Sequence, residues 1–315
     1  MGISQAGSGA FPTAAHPEVS PSSRRSVYMK TIAVLNFKGG VGKTTFSACM
    51  AQALALAGHR VLAIDNDYQH NLTTMLGQKP AKPNIRDIYL SSVGMGARNL
   101  MAAIQRTAIT DLDLITSPID LSTMDAKDVF QLKKCMEFAR LDKLYDYVFI
   151  DNGPGLDRLQ EAALHACSTV FVPTELSHFA ISGVYEMHRA LSQRFQNDSQ
   201  ISGIIPHFYR ATRQQDAFLS ALQKLFPGRV TKTAVPYDAV FENLVERQQV
   251  LFLHRISSDA AFSYIELLGD LFQLDAFSAL SLVMNRHEQW FTKEAQSRLE
   301  RMRNRPSTQA AAMHN

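Results

Sequence analysis

From Thr31 to Phe208 short apolar runs alternate with longer segments whose apolar residues recur every three or four positions. The runs TIAVLNF (31–37), RVLAIDND (60–67), LDLITSP (112–118), YDYVFIDN (145–152), STVFVPTE (168–175) and ISGIIPHF (201–208) read as strands. They are apolar without strict alternation, as strands covered on both faces are. KTTFSACMAQALALAG (43–58), closed by Gly58, STMDAKDVFQLKKCMEFAR (122–140), SGVYEMHRALSQRFQ (182–196) and DAAFSYIELLGDLFQL (259–274) have helical spacing, and residues 77–110 are less regular. Strands alternating with amphipathic helices predict an α/β fold: a doubly wound, mostly parallel sheet with helices on both faces and extra C-terminal helices.

The ends of the chain break this rhythm. Residues 1–28 are rich in Gly, Ser, Ala and Pro with neither period, which predicts a disordered leader and leaves Met29 as a second candidate start. The α/β core is expected over 29–275, a helical extension over 276–305 and a flexible tail over 306–315. The 286–305 segment is highly charged, with a thin apolar stripe through Trp290, Phe291, Ala295, Leu299 and Met302.

Composition narrows the class only modestly. The chain has 315 residues, 46% of them hydrophobic, which suffices for one large domain. Its net charge of +3 names no partner. Cys49, Cys135 and Cys167 are widely spaced, so neither a disulfide framework nor a zinc site is expected, and a reducing cytoplasm fits. No apolar run reaches membrane-spanning length.

The chemistry concentrates at strand ends. Gly39, Gly40, Val41, Gly42, Lys43 and Thr44 follow the first strand and open a helix. In that context glycines let backbone N–H groups curl toward phosphate oxygens, and the helix N-terminus adds partial positive charge. Lys43 is expected on the terminal phosphates, Thr44 on Mg²⁺ and Thr45 near the α-phosphate. Asp65 ends the second strand. Asp151 ends an apolar strand and is followed by Asn152, Gly153 and Pro154, the pattern of a carboxylate that supports a metal ion through water.

Lys38, at the head of the loop, is surplus to simple nucleotide binding. The spacing Lys38-x-x-x-x-Gly42-Lys43-Thr44 resembles the deviant Walker A loop of the ParA/MinD family of P-loop ATPases, and the resemblance extends from Met29 to about Phe272. It implies ATP and Mg²⁺ as cofactors and an ATP-dependent homodimer in which Lys38 reaches the partner's phosphates. A lysine merely solvated at a strand end is the simpler alternative. DNDYQ (65–69) resembles the family's Asp-x-Asp-Pro-Gln, with Tyr68 in place of proline. The resemblance assigns Asp65 to arranging the attacking water and leaves Asp67 either functional or a helix cap. Gly153 likewise stands where the family has proline. His207 occupies the position of an asparagine that reads the adenine edge, and Pro236 to Ala239 resemble a second base-side segment.

The resemblance also implies an output. For ParA-like partition ATPases that output is non-specific DNA binding by the ATP dimer, hydrolysis triggered by a ParB-like partner, and a cytoplasmic, nucleoid-associated location. The basic positions Arg189, Arg194, Arg210, Arg213, Lys224, Arg229 and Lys232 could supply the DNA surface, with Arg210 and Arg213 foremost; scattered solvated charge is the alternative. A MinD-like membrane ATPase would need a broad apolar C-terminal face, whereas the 286–305 stripe is narrow. A metabolic ligase of the same fold would need a second substrate pocket, for which no residues stand out. An iron–sulfur reductase would need a cysteine near Asp151, and none is present.

Overall fold

The computed structural model describes residues 28–195, 201–241, 251–255 and 258–286. Most of the leader and everything beyond residue 286 lie outside the described residues, so the readings placed there are not addressed. Seven strands form one sheet: β1 (Lys30–Val34), β2 (Val61–Asn66), β3 (Ile104–Arg106), β4 (Leu112–Ile115), β5 (Tyr147–Asn152), β6 (Thr169–Glu175) and β7 (Ile201–His207). Their order is β3-β4-β2-β5-β1-β6-β7, parallel throughout except that β3 pairs antiparallel with β4 at the edge.

The helices are α1 (Lys43–Leu56), α2 (Asn71–Met75), α3 (Ile85–Tyr89), α4 (Val93–Ala103), α5 (Gln131–Phe138), α6 (Arg158–Ala166), α7 (His178–Phe195), α8 (Arg213–Leu225), α9 (Leu251–His254), α10 (Asp259–Phe272) and α11 (Ala276–Arg286). They cover both faces of the sheet and form two cores. On one face Ile32, Val34, Tyr147 and Phe149 pack with α1 and α10; on the other Ala33, Leu35, Val148 and Ile150 pack with α3 to α7. The strict alternation of side chains along a strand sends successive residues of β1 and β5 into opposite cores.

Helix α1 is buried at every residue but Thr44, because α10 and α11 close over its outer side. A helix enclosed this way has no polar face, which is why 43–58 is so uniformly apolar. Two expectations need adjusting. The helix anticipated over 122–140 is broken: Ser122 caps a short 3₁₀ turn at Thr123–Asp125, Asp128 Oδ1 accepts from Phe130 N, and α5 starts only at Gln131. The irregular 77–110 stretch contains α3, α4 and β3. Asn84 and Asp87 form a capping box that starts α3.

Candidate functional site

The C-terminal ends of β1, β2, β5 and β6 meet at one edge of the sheet, where the chain reverses its winding direction. Open parallel sheets leave a crevice there. The loop after β1 is anchored by Asn36, whose Nδ2 donates to Pro173 O (2.9 Å) and Thr174 Oγ1 (3.0 Å), while its Oδ1 accepts from Lys38 N (3.0 Å). Gly40 has φ 74° and Gly42 has φ 90°, left-handed values that L side chains rarely adopt. A Cβ on Gly42 would also lie 2.4 Å from His207 Nδ1. Val41 is buried, and nothing lies within 4 Å of where a Cβ on Gly39 would sit. Gly42 precedes α1 with no side-chain cap, so the first amides of α1 face the crevice without a side-chain acceptor.

The two loop lysines point apart. Lys43 is buried and its Nζ donates to Lys38 O (3.0 Å), inside the curl of the loop. Burial lowers its pKa, and the negative charges of Asp151 and Asp67 pull it back up. Lys38 lies on the outer lip with its side chain 49% exposed, and its Nζ is 3.4 Å from Glu175 Oε2 at the end of β6.

Asp151 is fully buried at the end of β5, beneath α1. Its Oδ1 accepts from Ser47 Oγ (2.7 Å), and its Oδ2 has no hydrogen-bond partner among the described residues. Burial is the main reason its pKa is pushed up to about 7; nearby Asp65 adds to that, and the Ser47 and, less strongly, Thr44 hydroxyls oppose it. An orphaned, desolvated carboxylate oxygen beside a threonine at a helix start fits a hard cation that keeps most of its ligands as water and phosphate. Thr44 and Asp151 are thus the residues that would hold Mg²⁺. Ser47, one helical turn after Lys43, was not singled out from the sequence, although the i, i+4 spacing signals its position.

Of the two aspartates at the end of β2, the structure turns Asp65, still within the strand, inward. It is fully buried; Oδ2 accepts from Thr73 N (2.8 Å) and Thr73 Oγ1 (2.7 Å), and Oδ1 from Asp67 N (3.3 Å). Oδ2 holds α2 and Oδ1 holds the turn at Asp67, so both oxygens of the residue expected to arrange the water are engaged within the protein. Asp67 stands closer to the loop. Its charge acts on both Lys43 and Asp151, and its Oδ1 would lie 3.0 Å from a Cβ on Gly153. It does not cap α2, whose N-cap is His70; instead its Oδ1 accepts from Gln69 N (3.1 Å).

His207, expected at the adenine edge, is fully buried beneath Gly42. Its ring packs against Phe208 and Phe241, its Nε2 shares a 2.8 Å hydrogen bond with the Tyr264 hydroxyl, and burial lowers its pKa to about 3. The neutral imidazole supports the loop from the core and presents no edge to a base. The segment around Pro236, expected on the base side, lies beside the end of β7. Val235–Tyr237 runs beside Pro206–Tyr209, with Val235 N donating to Pro206 O (2.8 Å) and Pro236 bridged to Tyr209. A cleft of about 300 Å³ opens there, lined by Thr45, Phe208, Arg210, Tyr237, Asp238 and Phe241. The Arg210 guanidinium lies 3.4 Å over the Tyr237 ring. Arg210, expected on a DNA surface, therefore lines this cleft, while Arg213 is exposed at the start of α8. A cavity of about 360 Å³ at the opposite end of the sheet, by Met29 and Met136, contains none of the loop residues.

The family model described as an AAA domain matches residues 29–201. The chain is 30% identical over 256 residues to a ParA family protein of Chlamydia trachomatis, covering 77% of this chain and 97% of the relative. It is 28% identical over 253 residues to the chromosome partitioning protein ParA of Caulobacter vibrioides, covering 77% and 94%. In structure it resembles the septum site-determining protein MinD of Pyrococcus horikoshii, solved with Mg-ADP. The TM-score is 0.64 at 22% identity, over 76% of this chain and 94% of that one. The loop, the buried carboxylate beneath it and these matches agree: the chain belongs to the ParA/MinD family of P-loop ATPases.

Proposed function

We propose that this protein is an ATP-driven switch of the ParA type. It binds ATP with Mg²⁺, pairs with a second copy when ATP is bound, holds DNA without sequence preference in that state, and is reset by hydrolysis. The observation that carries the reading is the separation of the two lysines: Lys43 inside the phosphate curl and Lys38 on its exposed lip, five residues away on the same loop. A cation that binds phosphate in its own subunit belongs inside; one that serves a neighbouring copy belongs outside. Glu175 holds Lys38 only by a half-exposed ion pair, which a partner's phosphate can replace at little cost.

Within one subunit, the amides of Gly39 to Thr45 and Lys43 bind the β- and γ-phosphates. Mg²⁺ at Thr44 and Asp151 supplies charge neutralisation on the phosphate oxygens. Asp67 orients the attacking water and Lys38 of each subunit offsets charge developing on the γ-phosphate of the other. The base lies in the cleft of Thr45, Phe208, Arg210, Tyr237 and Asp238, backed by Pro236. Arg189, Arg213, Lys224 and Lys232 are exposed and form the candidate phosphate-backbone contacts, whereas Arg194 is paired with Glu161 (2.9 Å) and Arg229 with His188 (3.2 Å). A ParB-like protein is the proposed activator, and the nucleoid in the cytoplasm the proposed location.

A MinD-like attachment to membranes is the second reading, favoured by the structural likeness to MinD. Among the described residues no helix is long and apolar enough to cross a membrane, and the candidate surface-lying segment is the charged 286–305 stretch of the sequence. Binding to random-sequence duplex DNA and to anionic liposomes, each with ATP and with ADP, separates the two. ATP-dependent DNA binding that weakens steeply with salt supports the partition reading. ATP-dependent liposome binding lost on removing residues 287–315 replaces it with the membrane reading.

A further inference from the structure

The two catalytic-edge strands carry a second matched pair that no part of the proposed cycle uses. β2 and β5 run in register, Asp65 opposite Asp151 and Asn66 opposite Asn152. The aspartates face the core of α1. Alternation turns the asparagines to the opposite face, under α3 and α6, where both are fully buried.

There they form a closed network. Asn66 Nδ2 donates to Asn152 Oδ1 (2.8 Å) and to Leu159 O in α6 (2.9 Å). Asn66 Oδ1 accepts from the Tyr89 hydroxyl at the end of α3 (2.8 Å). Asn152 Nδ2 donates to Ile150 O (2.9 Å) and to Val34 O (3.3 Å), the last residue of β1 before the phosphate loop. Each amide spends both N–H groups and uses its oxygen, and Tyr89 is itself buried. An apolar pair would fill the same space without desolvating two amides. What directional hydrogen bonds add is one fixed arrangement in place of packing that can slide.

We infer that Asn66, Asn152 and Tyr89 are positioning residues for hydrolysis: together they lock the ends of β1, β2 and β5 at one mutual spacing. The inference rests on the ATPase reading above. The residues that follow the clamp are Asp67 and Gly153, and they meet closely, since a Cβ on Gly153 would lie 3.0 Å from Asp67 Oδ1. A small slip of β2 against β5 therefore moves Asp67 relative to Asp151 and the loop. Misplacement by about 1 Å is enough to cost about a hundredfold in rate.

Three variants test this. Tyr89→Phe removes one hydroxyl and keeps the ring; it is expected to lower kcat about tenfold while KM for ATP changes less than about twofold. Asn152→Leu alone leaves Asn66 without its partner and should unfold at lower temperature. Tyr89→Phe/Asn66→Leu/Asn152→Leu removes both amides together with the hydroxyl that donates to Asn66, and should recover much of that stability without recovering kcat. Recovery of turnover together with stability, or an unchanged kcat in Tyr89→Phe, overturns the inference by reducing the network to a packing element. Amide hydrogen exchange on the nucleotide-free protein judges the clamp independently of turnover. Tyr89→Phe is expected to accelerate exchange in 65–69 and 151–154 together, and unchanged exchange in both overturns the clamp. A parent chain that hydrolyses no ATP would instead refute the ATPase reading, with the exchange result still deciding the clamp.

Discussion

Asp67 and Asp65 sit two residues apart and do different work, because a residue's neighbours decide what its carboxylate can reach. Asp65 spends both oxygens on Thr73 and Asp67 N, whereas Asp67 acts on the charge of Lys43 within the loop and lies beside Gly153. Asp67→Ala is expected to slow ATP hydrolysis at least about a hundredfold, the scale of losing a group that orients the water, while leaving ATP affinity within a few fold. Single-turnover hydrolysis beside a nucleotide-binding titration checks it; equal loss in both would make Asp67 a binding residue. Asp151 gives a prediction in pH. Its folded pKa is raised to about 7, mainly by burial, against about 4 for an unfolded aspartate. Between those values the folded state holds the extra proton. Its contribution to the nucleotide-free protein's stability is then full below about pH 4 and is lost as pH rises through about 7. Urea midpoints at about pH 5 and about pH 8 should fall more with pH for the parent than for Asp151→Asn; parallel curves would contradict the assignment.

Elements are held in place by a few contacts that sequence patterns register only partly. Strand runs were legible because parallel strands buried on both faces are apolar at nearly every position; β2, β4, β5, β6 and β7 each fall within the expected runs, and β1 starts one residue before its run. For the same reason the pattern could not tell which of Asp65, in β2, and Asp67, just beyond it, faces a ligand: with all six β2 residues buried, periodicity carries no facing information. β3 is three residues long, and α4 contains Gly94 and Gly96, poor helix formers. Gly96 is there for space, since a Cβ would lie 2.7 Å from Cys135 Sγ and 3.0 Å from Ile88 O. His207 was misplaced for a related reason: a position matched to a motif says nothing about which way the ring turns, and here the missing Cβ of Gly42 lets it fit beneath the loop. The loop after β7 yields a pair of expectations. Arg210→Ala should weaken ATP binding severalfold by removing the guanidinium from Tyr237, with DNA binding at saturating ATP preserved. Arg213→Ala should leave ATP affinity alone and reduce the salt dependence of DNA binding by about one charge. Titrations with nucleotide and with duplex DNA decide both, and the reverse outcome would return Arg210 to a DNA surface. At Gly203 in β7 a Cβ would lie 2.7 Å from Leu271 Cδ2 and 2.9 Å from Phe171 Cδ1. Gly203→Val is accordingly expected to cost about 1–3 kcal/mol in urea unfolding by forcing α10 off the sheet; an unchanged midpoint would show that the contact yields.

For the molecule as a whole, the proposed switch depends on one exposed side chain, Lys38, that the proposal assigns to the partner copy rather than to its own subunit. Among the described residues the Lys38 side chain makes only the half-exposed pair with Glu175, so Lys38→Ala should fold normally, with stability changed by less than about 1 kcal/mol. Its own subunit's phosphates remain served by Lys43 and the loop amides, so ATP binding should persist. The most direct test is sedimentation of the parent and Lys38→Ala with Mg-ATP and with Mg-ADP at concentrations where ATP binding is saturated. The account predicts a parent that is monomeric with ADP and dimeric with ATP, and a variant that binds ATP yet stays monomeric. A Lys38→Ala protein that dimerises on ATP as readily as the parent would contradict it.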